Sequence, residues 1–214
     1  PEDELELSDG AVRARSDSNQ FITLADLALQ LSPAVAGKLP EGFETAGLEA
    51  VSYQTTDYMP HSSGANIAKV EVDVVTGGIK ILDYYVVHDC GRILNPMIVD
   101  GQIIGGVVHG IGNAMFEQMV YDDSGNPMTT NYGDYLLPLA SEMPEIHVAH
   151  IETPSPANPM GLKGAGEGGT IPAIGAMINA IEDALTPFDA YIAKYPVTPE
   201  YILELVDGEK IAAE

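Results

Sequence analysis

The residues best suited to chemistry lie in Gly161-Leu-Lys-Gly-Ala-Gly-Glu-Gly-Gly169, where one carboxylate, Glu167, is surrounded by almost nothing but backbone. Glycines let a main chain approach a ligand closely, and exposed amides running into a helix N-terminus favour an anion. The segment therefore suits a bulky anionic cofactor. It is not a P-loop, because Lys163 precedes the glycines and no Lys-Ser/Thr pair follows them. Glu167 has two readings. A carboxylate just before a helix stabilises the helix dipole, and the same carboxylate, ionised before substrate arrives, is a general base. Spacing alone does not choose between them.

A second candidate is Asp100-Gly-Gln-Ile-Ile-Gly-Gly-Val-Val-His-Gly-Ile-Gly112. Gln102 offers a two-way hydrogen-bonding amide among glycines, able to read the edge of a heterocycle or simply to face solvent. His109 on this apolar run has no second His or Cys at ligand spacing, so it reads as a structural histidine. The third segment, His88-Asp-Cys-Gly-Arg-Ile-Leu-Asn-Pro96, superficially suggests a thiol nucleophile at Cys90. On a strand His88 and Cys90 share a face that Asp89 does not, and Gly91 with Asn95-Pro96 reads as a turn into a helix, so structural roles are expected here.

These segments must be held by neighbouring elements. Thr23-Leu-Ala-Asp26 resembles a capping box and predicts a helix over residues 24–31, ended by Pro33 and the stretch 37–42. Val51, Tyr53 and Thr55 are spaced two apart, which predicts a strand over residues 48–58. Val70, Val72 and Val74 alternate with charged residues before Thr76-Gly-Gly78 and a second apolar run to His88, which predicts a hairpin with one buried face. Asn95-Pro96 predicts the start of a helix to about residue 120, whose glycine load implies that another element or a ligand comes close to its backbone.

Residues 122–127 read as a turn, 145–151 as a strand, and 153–169 as a long irregular segment of the kind that is usually functional. It leads into an apolar helix over 171–185 capped by Thr170, and a final helix starts at Thr198-Pro-Glu200. The expected fold class is α+β, with hairpins and mixed sheet packed against helices.

The net charge of −23, with nine Lys and Arg in 214 residues, argues against nucleic acid and anionic membrane surfaces as partners. A single cysteine leaves no internal disulfide, and no all-thiolate metal or iron–sulfur site can be built from this chain alone. With neither a signal-peptide pattern nor a membrane-length apolar run, a cytoplasmic location is expected.

Taken in order, Val-Glu-Val-Asp-Val-Val-Thr-Gly-Gly (70–78), Asp-Cys-Gly-Arg-Ile-Leu-Asn-Pro (89–96), Gly-Gln-Ile-Ile-Gly-Gly (101–106), Gly110-Ile-Gly, Tyr132-Gly-Asp-Tyr135 and Lys163-Gly-Ala-Gly-Glu-Gly-Gly169 resemble a known family. It is the molybdopterin-binding large subunit of xanthine dehydrogenase, aldehyde oxidase and carbon monoxide dehydrogenase, the molybdenum hydroxylases. The likeness is sharpest from Val70 to Glu200.

The resemblance implies that Glu167 faces the molybdenum as the base that deprotonates its hydroxyl ligand. It implies that Gln102 hydrogen-bonds the pterin, and that backbone around Gly164, Ala165 and Gly166 lies beside the metal, which receives no side-chain ligand from this chain. His109 stands where the family commonly has glutamine, and no role is carried to it.

The implied cofactor is molybdenum–molybdopterin, free or as a dinucleotide, with iron–sulfur clusters and FAD on partner subunits. The implied partners are the remainder of the large subunit, an iron–sulfur subunit, a flavin subunit and a small-molecule substrate. Residues 1–66 are expected to complete a neighbouring domain and residues 67–214 to form the molybdopterin-binding C-terminal domain. The implied activity is hydroxylation of an N-heterocycle, an aldehyde or a related small molecule, with water as oxygen source and electrons passed to the iron–sulfur and flavin partners. Two alternatives stand beside it: a non-catalytic subunit completing the large-subunit fold, and an anion-binding module.

Overall fold

The computed structural model describes residues 2–32, 34, 46–49, 51, 53–56 and 58–208. The chain divides into two compact units, Pro1–Thr55 and Thr56–Glu214. The strand Ser63–Val72 runs continuously through residue 66.

In the first unit, β1 (Leu5–Ser8), β2 (Ala11–Ala14) and β3 (Asp17–Thr23) form an antiparallel sheet in sequence order. Asp9 and Gly10 both take positive φ, 48° and 70°, as a two-residue hairpin turn with right-handed strand twist demands. Helix α1 (Leu24–Gln30) begins where expected, with the Thr23 side chain accepting from the amide of Asp26 at 3.0 Å. The breaker stretch 37–42 lies outside the described residues. The described residues of 48–58 carry no strand, contrary to expectation. Two-residue spacing of three side chains is a weak signal when no partner strand satisfies the backbone.

The second unit holds the candidate chemistry. Strand β4 (Ser63–Val72) pairs antiparallel with β5 (Ile79–Asp89), and β6 (Ile146–His150) pairs parallel to β5, giving the order β4-β5-β6. The hairpin is the expected one, extended at its N-terminal side by pairing of Ser63 with Asp89. Its turn is fixed by Asp73, whose carboxylate accepts from the amides of Val75 and Thr76. The buried face of β5 presents Ile81, Tyr84, Val86 and His88.

Helix α2 (Pro96–Met115) is capped by Asn95 and stops about five residues before the expected end. The amides of Phe116 and Glu117 both turn back to the Gly112 carbonyl, so the apolar residues that follow belong to an irregular segment. Helix α3 (Thr170–Ala184) starts at Thr170 with Gly169 as its cap and no side-chain capping bond, correcting the expected Thr170 cap. Helix α4 (Pro199–Asp207) is capped by Thr198, as expected.

The core joins Tyr84 and Val86 of the sheet to Ile103, Val107 and Ile111 of α2 and to Ala173, Met177 and Ile181 of α3. Gly106 and Gly110 of α2 face Thr170 and Ala173, so the glycine load expected to signal a close approach is in part a helix–helix seam. Among the described residues no helix is long and apolar enough to cross a membrane.

Candidate functional site

The irregular segment before α3 is firmly anchored. Gly91, just past β5, has φ +71° and a backbone so close to Gly161 that any side chain would strike the Gly161 carbonyl. Around it the amide of Arg92 donates to the Gly161 carbonyl at 3.0 Å and that of Lys163 to the Cys90 carbonyl at 2.8 Å. Asn158 braces the same strip, donating to the Leu162 carbonyl and accepting from the Leu162 amide, both at 2.9 Å.

The side chain of Asp89 is the hub of this platform. It accepts from the amides of Gly91 at 2.8 Å and Thr153 at 3.2 Å, from the Thr153 hydroxyl, and from Lys163 Nζ at 3.0 Å. Burial alone raises the Asp89 carboxyl, but these donors outweigh it and hold the group well below the usual carboxylate range. Burial first, with the Asp89 and Glu152 charges adding, pushes the Cys90 thiol up, which agrees with its expected structural role rather than a thiolate nucleophile. The alternation rule predicted that Asp89 would turn away from His88 and Cys90, yet all three are buried. The strand ends at Asp89, and the 153–163 platform covers the face that alternation would leave open.

From this platform Gly164, Ala165 and Gly166 lead to Glu167, whose carbonyl accepts from the amides of Thr170 and Ile171, both at 3.1 Å, in the first turn of α3. Added Cβ atoms at Gly164 or Gly166 meet nothing within 4 Å. The exposed Glu167 side chain borders a cavity of about 420 Å³, whose wall also includes His88, Ser63, Gly164, Gly166 and Ile171.

His88 is the residue that sequence reasoning assigned only a structural place. It is buried to 1% exposure directly beneath Gly168, and both ring nitrogens lack a hydrogen-bond partner among the described residues. Burial, then the neighbouring His150, lower its pKa against a smaller opposing pull from Asp89, so the ring is neutral and presents one donor and one acceptor. The signal was present in the sequence: His88 continues the two-residue alternation of Tyr84 and Val86 on the buried face.

Gln102 stands exposed on α2 and does not border this cavity. Its helical turn nevertheless meets the start of α3, because Gly169 packs on the Ile103 carbonyl and Gly106 on Thr170. Gly101 and Gly105, beside Gln102, face open space. His109 is exposed, and among the described residues no group of three or more His, Cys, Asp or Glu side chains could hold a metal.

The second unit thus presents one carboxylate, and one imidazole without a partner among the described residues, over a glycine-walled cavity. The family model of the molybdopterin cofactor-binding domain matches residues 1–144. The chain belongs to this family of molybdopterin-binding proteins.

It is 41% identical over 207 residues to the nicotine 6-hydroxylase large subunit of Paenarthrobacter nicotinovorans, covering 97% of this chain and 25% of that protein. It is 36% identical over 183 residues to the carbon monoxide dehydrogenase large chain of Hydrogenophaga pseudoflava, covering 86% and 22%. Quinoline 2-oxidoreductase from Pseudomonas putida 86 superposes with a TM-score of 0.80 at 36% identity, covering 97% of this chain and 26% of that one. The chain spans about a quarter of the length of these relatives.

Proposed function

We propose that this chain is the C-terminal portion of the large subunit of a molybdenum hydroxylase and that Glu167 is its catalytic base. The observation that carries the reading is the state of the Glu167 cavity. The α3 cap makes no side-chain bond, so helix capping does not consume the carboxylate, and a buried imidazole beside it has no partner among the described residues. A buried polar group without a partner costs about 1–3 kcal/mol, which a ligand or ordered water in the cavity relieves.

The residues fit the molybdenum cofactor. The bare backbone of Gly164, Ala165 and Gly166 leaves a cradle that side chains would fill, and Gln102 supplies an amide on exposed helix surface for the pterin. When bound, the group supplies the two-electron redox centre. The chain supplies the rest: Glu167 takes up a proton at its carboxylate, the 164–166 backbone shapes one wall, and Ile171 at the rim excludes water.

The substrate class is an N-heterocycle, an aldehyde or a related small molecule. Two relatives named for nicotine and quinoline support the heterocycle. The exposed apolar side chains Met97, Tyr132, Leu139, Ile151 and Tyr191 support burial against the remainder of the large subunit. Residues 1–66 complete a neighbouring domain there, and iron–sulfur and flavin subunits carry the electrons away in a cytoplasmic complex. Native mass spectrometry of the protein purified from its source tests this reading. A complex containing larger subunits and a molybdopterin mass is expected; a lone cofactor-free monomer overturns it.

A further inference from the structure

The geometry points to Lys163 as a positioning residue, the fixed point from which the Gly164–Gly166 backbone carries Glu167 into the cavity. The inference rests on the reading of Glu167 as the base.

Lys163 Nζ reaches Asp89 Oδ2 at 3.0 Å and the Thr153 hydroxyl at 2.6 Å, with the two charged side chains only 13% and 11% exposed. Its own amide is tied to the Cys90 carbonyl, so both its backbone and its side chain are held. Beyond it the support stops. No backbone hydrogen bond of Gly164, Ala165 or Gly166 appears among the described residues, and the two glycines have no neighbour that a side chain could touch. The next fixed point is the Glu167 carbonyl, which begins α3. The position of the Glu167 side chain is therefore set by two anchors, the Lys163–Asp89–Thr153 cluster and the first turn of α3.

A buried ion pair is a poor source of net stability, since similar apolar packing often does as well. What it fixes here is direction. The fork of Asp89 receives two amides, a hydroxyl and the ammonium, so Lys163 has one place to sit. A misplacement of about 1 Å at a reacting group can cost about a hundred-fold in rate.

The test uses the assembled enzyme and two readouts, amide hydrogen exchange and steady-state kinetics. Lys163→Met is expected to raise exchange of the hydrogen-bonded amides of residues 163, 170 and 171, at the two ends of the loop, by about ten-fold while β4, β5 and the second half of α3 keep wild-type exchange. It is expected to lower kcat by about ten-fold or more, with KM within about two-fold. If Lys163→Met does not assemble, Thr153→Val decides, because it leaves the charge pair and removes the hydroxyl between them. A smaller rise in exchange confined to the same residues is expected. Unchanged exchange at residues 163, 170 and 171 overturns the inference, and so does a rise spread evenly through β4 and β5, which marks a merely structural role. Glu167→Gln separates the two claims: normal turnover there defeats the base assignment, while the exchange of residues 163, 170 and 171 still reports on the anchor.

Discussion

Two cavities of the second unit differ in what their polar groups are doing. The larger, about 790 Å³, lies between the β4–β5 turn and the start of α4, among Ile79, Ile81, Met115, Phe116 and Val197. Several of its polar lining groups are already engaged: Asp134 accepts from Asn131 at 2.5 Å, Glu142 from the Leu139 amide at 2.6 Å, and Thr198 caps α4. The smaller, about 420 Å³, holds the Glu167 carboxylate and an imidazole with two unpartnered nitrogens. Volume records where packing failed to close, whereas unspent hydrogen-bonding capacity records where a ligand is wanted. On that ground the smaller cavity is the one proposed as the site.

The comparison is sharpened by inserting the same methyl group beside each cavity. At Gly168 a Cβ would drive into the His88 ring, shifting the loop that bears Glu167, so Gly168→Ala is expected to lower kcat by about a hundred-fold. At Gly77 a Cβ would meet the Pro199 backbone at positive φ, so Gly77→Ala is expected to destabilise the fold by about 1–3 kcal/mol. Its kcat per folded molecule should stay within about two-fold of wild type. Thermal melts and kinetics on both variants check the pair, and a comparable loss of kcat at Gly77 breaks the distinction.

A smaller effect concerns His88 alone. Burial, helped by His150 and opposed by Asp89, holds its imidazole below the ordinary 6.5. As pH falls below that value the unfolded chain takes up a proton that the folded chain refuses, so the fold loses stability toward acid. His88→Asn removes that contribution, and the stability of the variant should decline less steeply between pH 6.5 and 5 in denaturant melts, pH 6.5 being the ordinary imidazole value. An unchanged slope shows that the ring already has a partner.

Much of the fold was legible because its signals are local. The β4–β5 hairpin follows from alternating valines and a Gly-Gly turn, and α1, α2 and α4 from side-chain caps at Thr23, Asn95 and Thr198. The errors arose where tertiary contacts overrode local pattern. Strand β4 begins at Ser63, in a run with little apolar alternation, because the end of β5 is there to pair with it. Helix α2 stops at Met115 although apolar residues continue, and α3 needs no side-chain cap because Gly169 is pressed against the Ile103 carbonyl.

The same division holds for the site. Glu167 and its glycines were visible as a motif. The burial of Asp89 against Lys163 and Thr153 joins residues 74 and 64 positions apart in sequence, and His88 acquires its importance only from Gly168 lying on top of it. Neither contact has a short-range signature.

Replacing the Glu167 carboxylate by its neutral isostere in the assembled enzyme tests the proposed base. Glu167→Gln changes no packing, so molybdenum and pterin contents equal to wild type and a kcat lowered by about 10²–10⁴-fold are expected. Wild-type turnover at full cofactor content would contradict it.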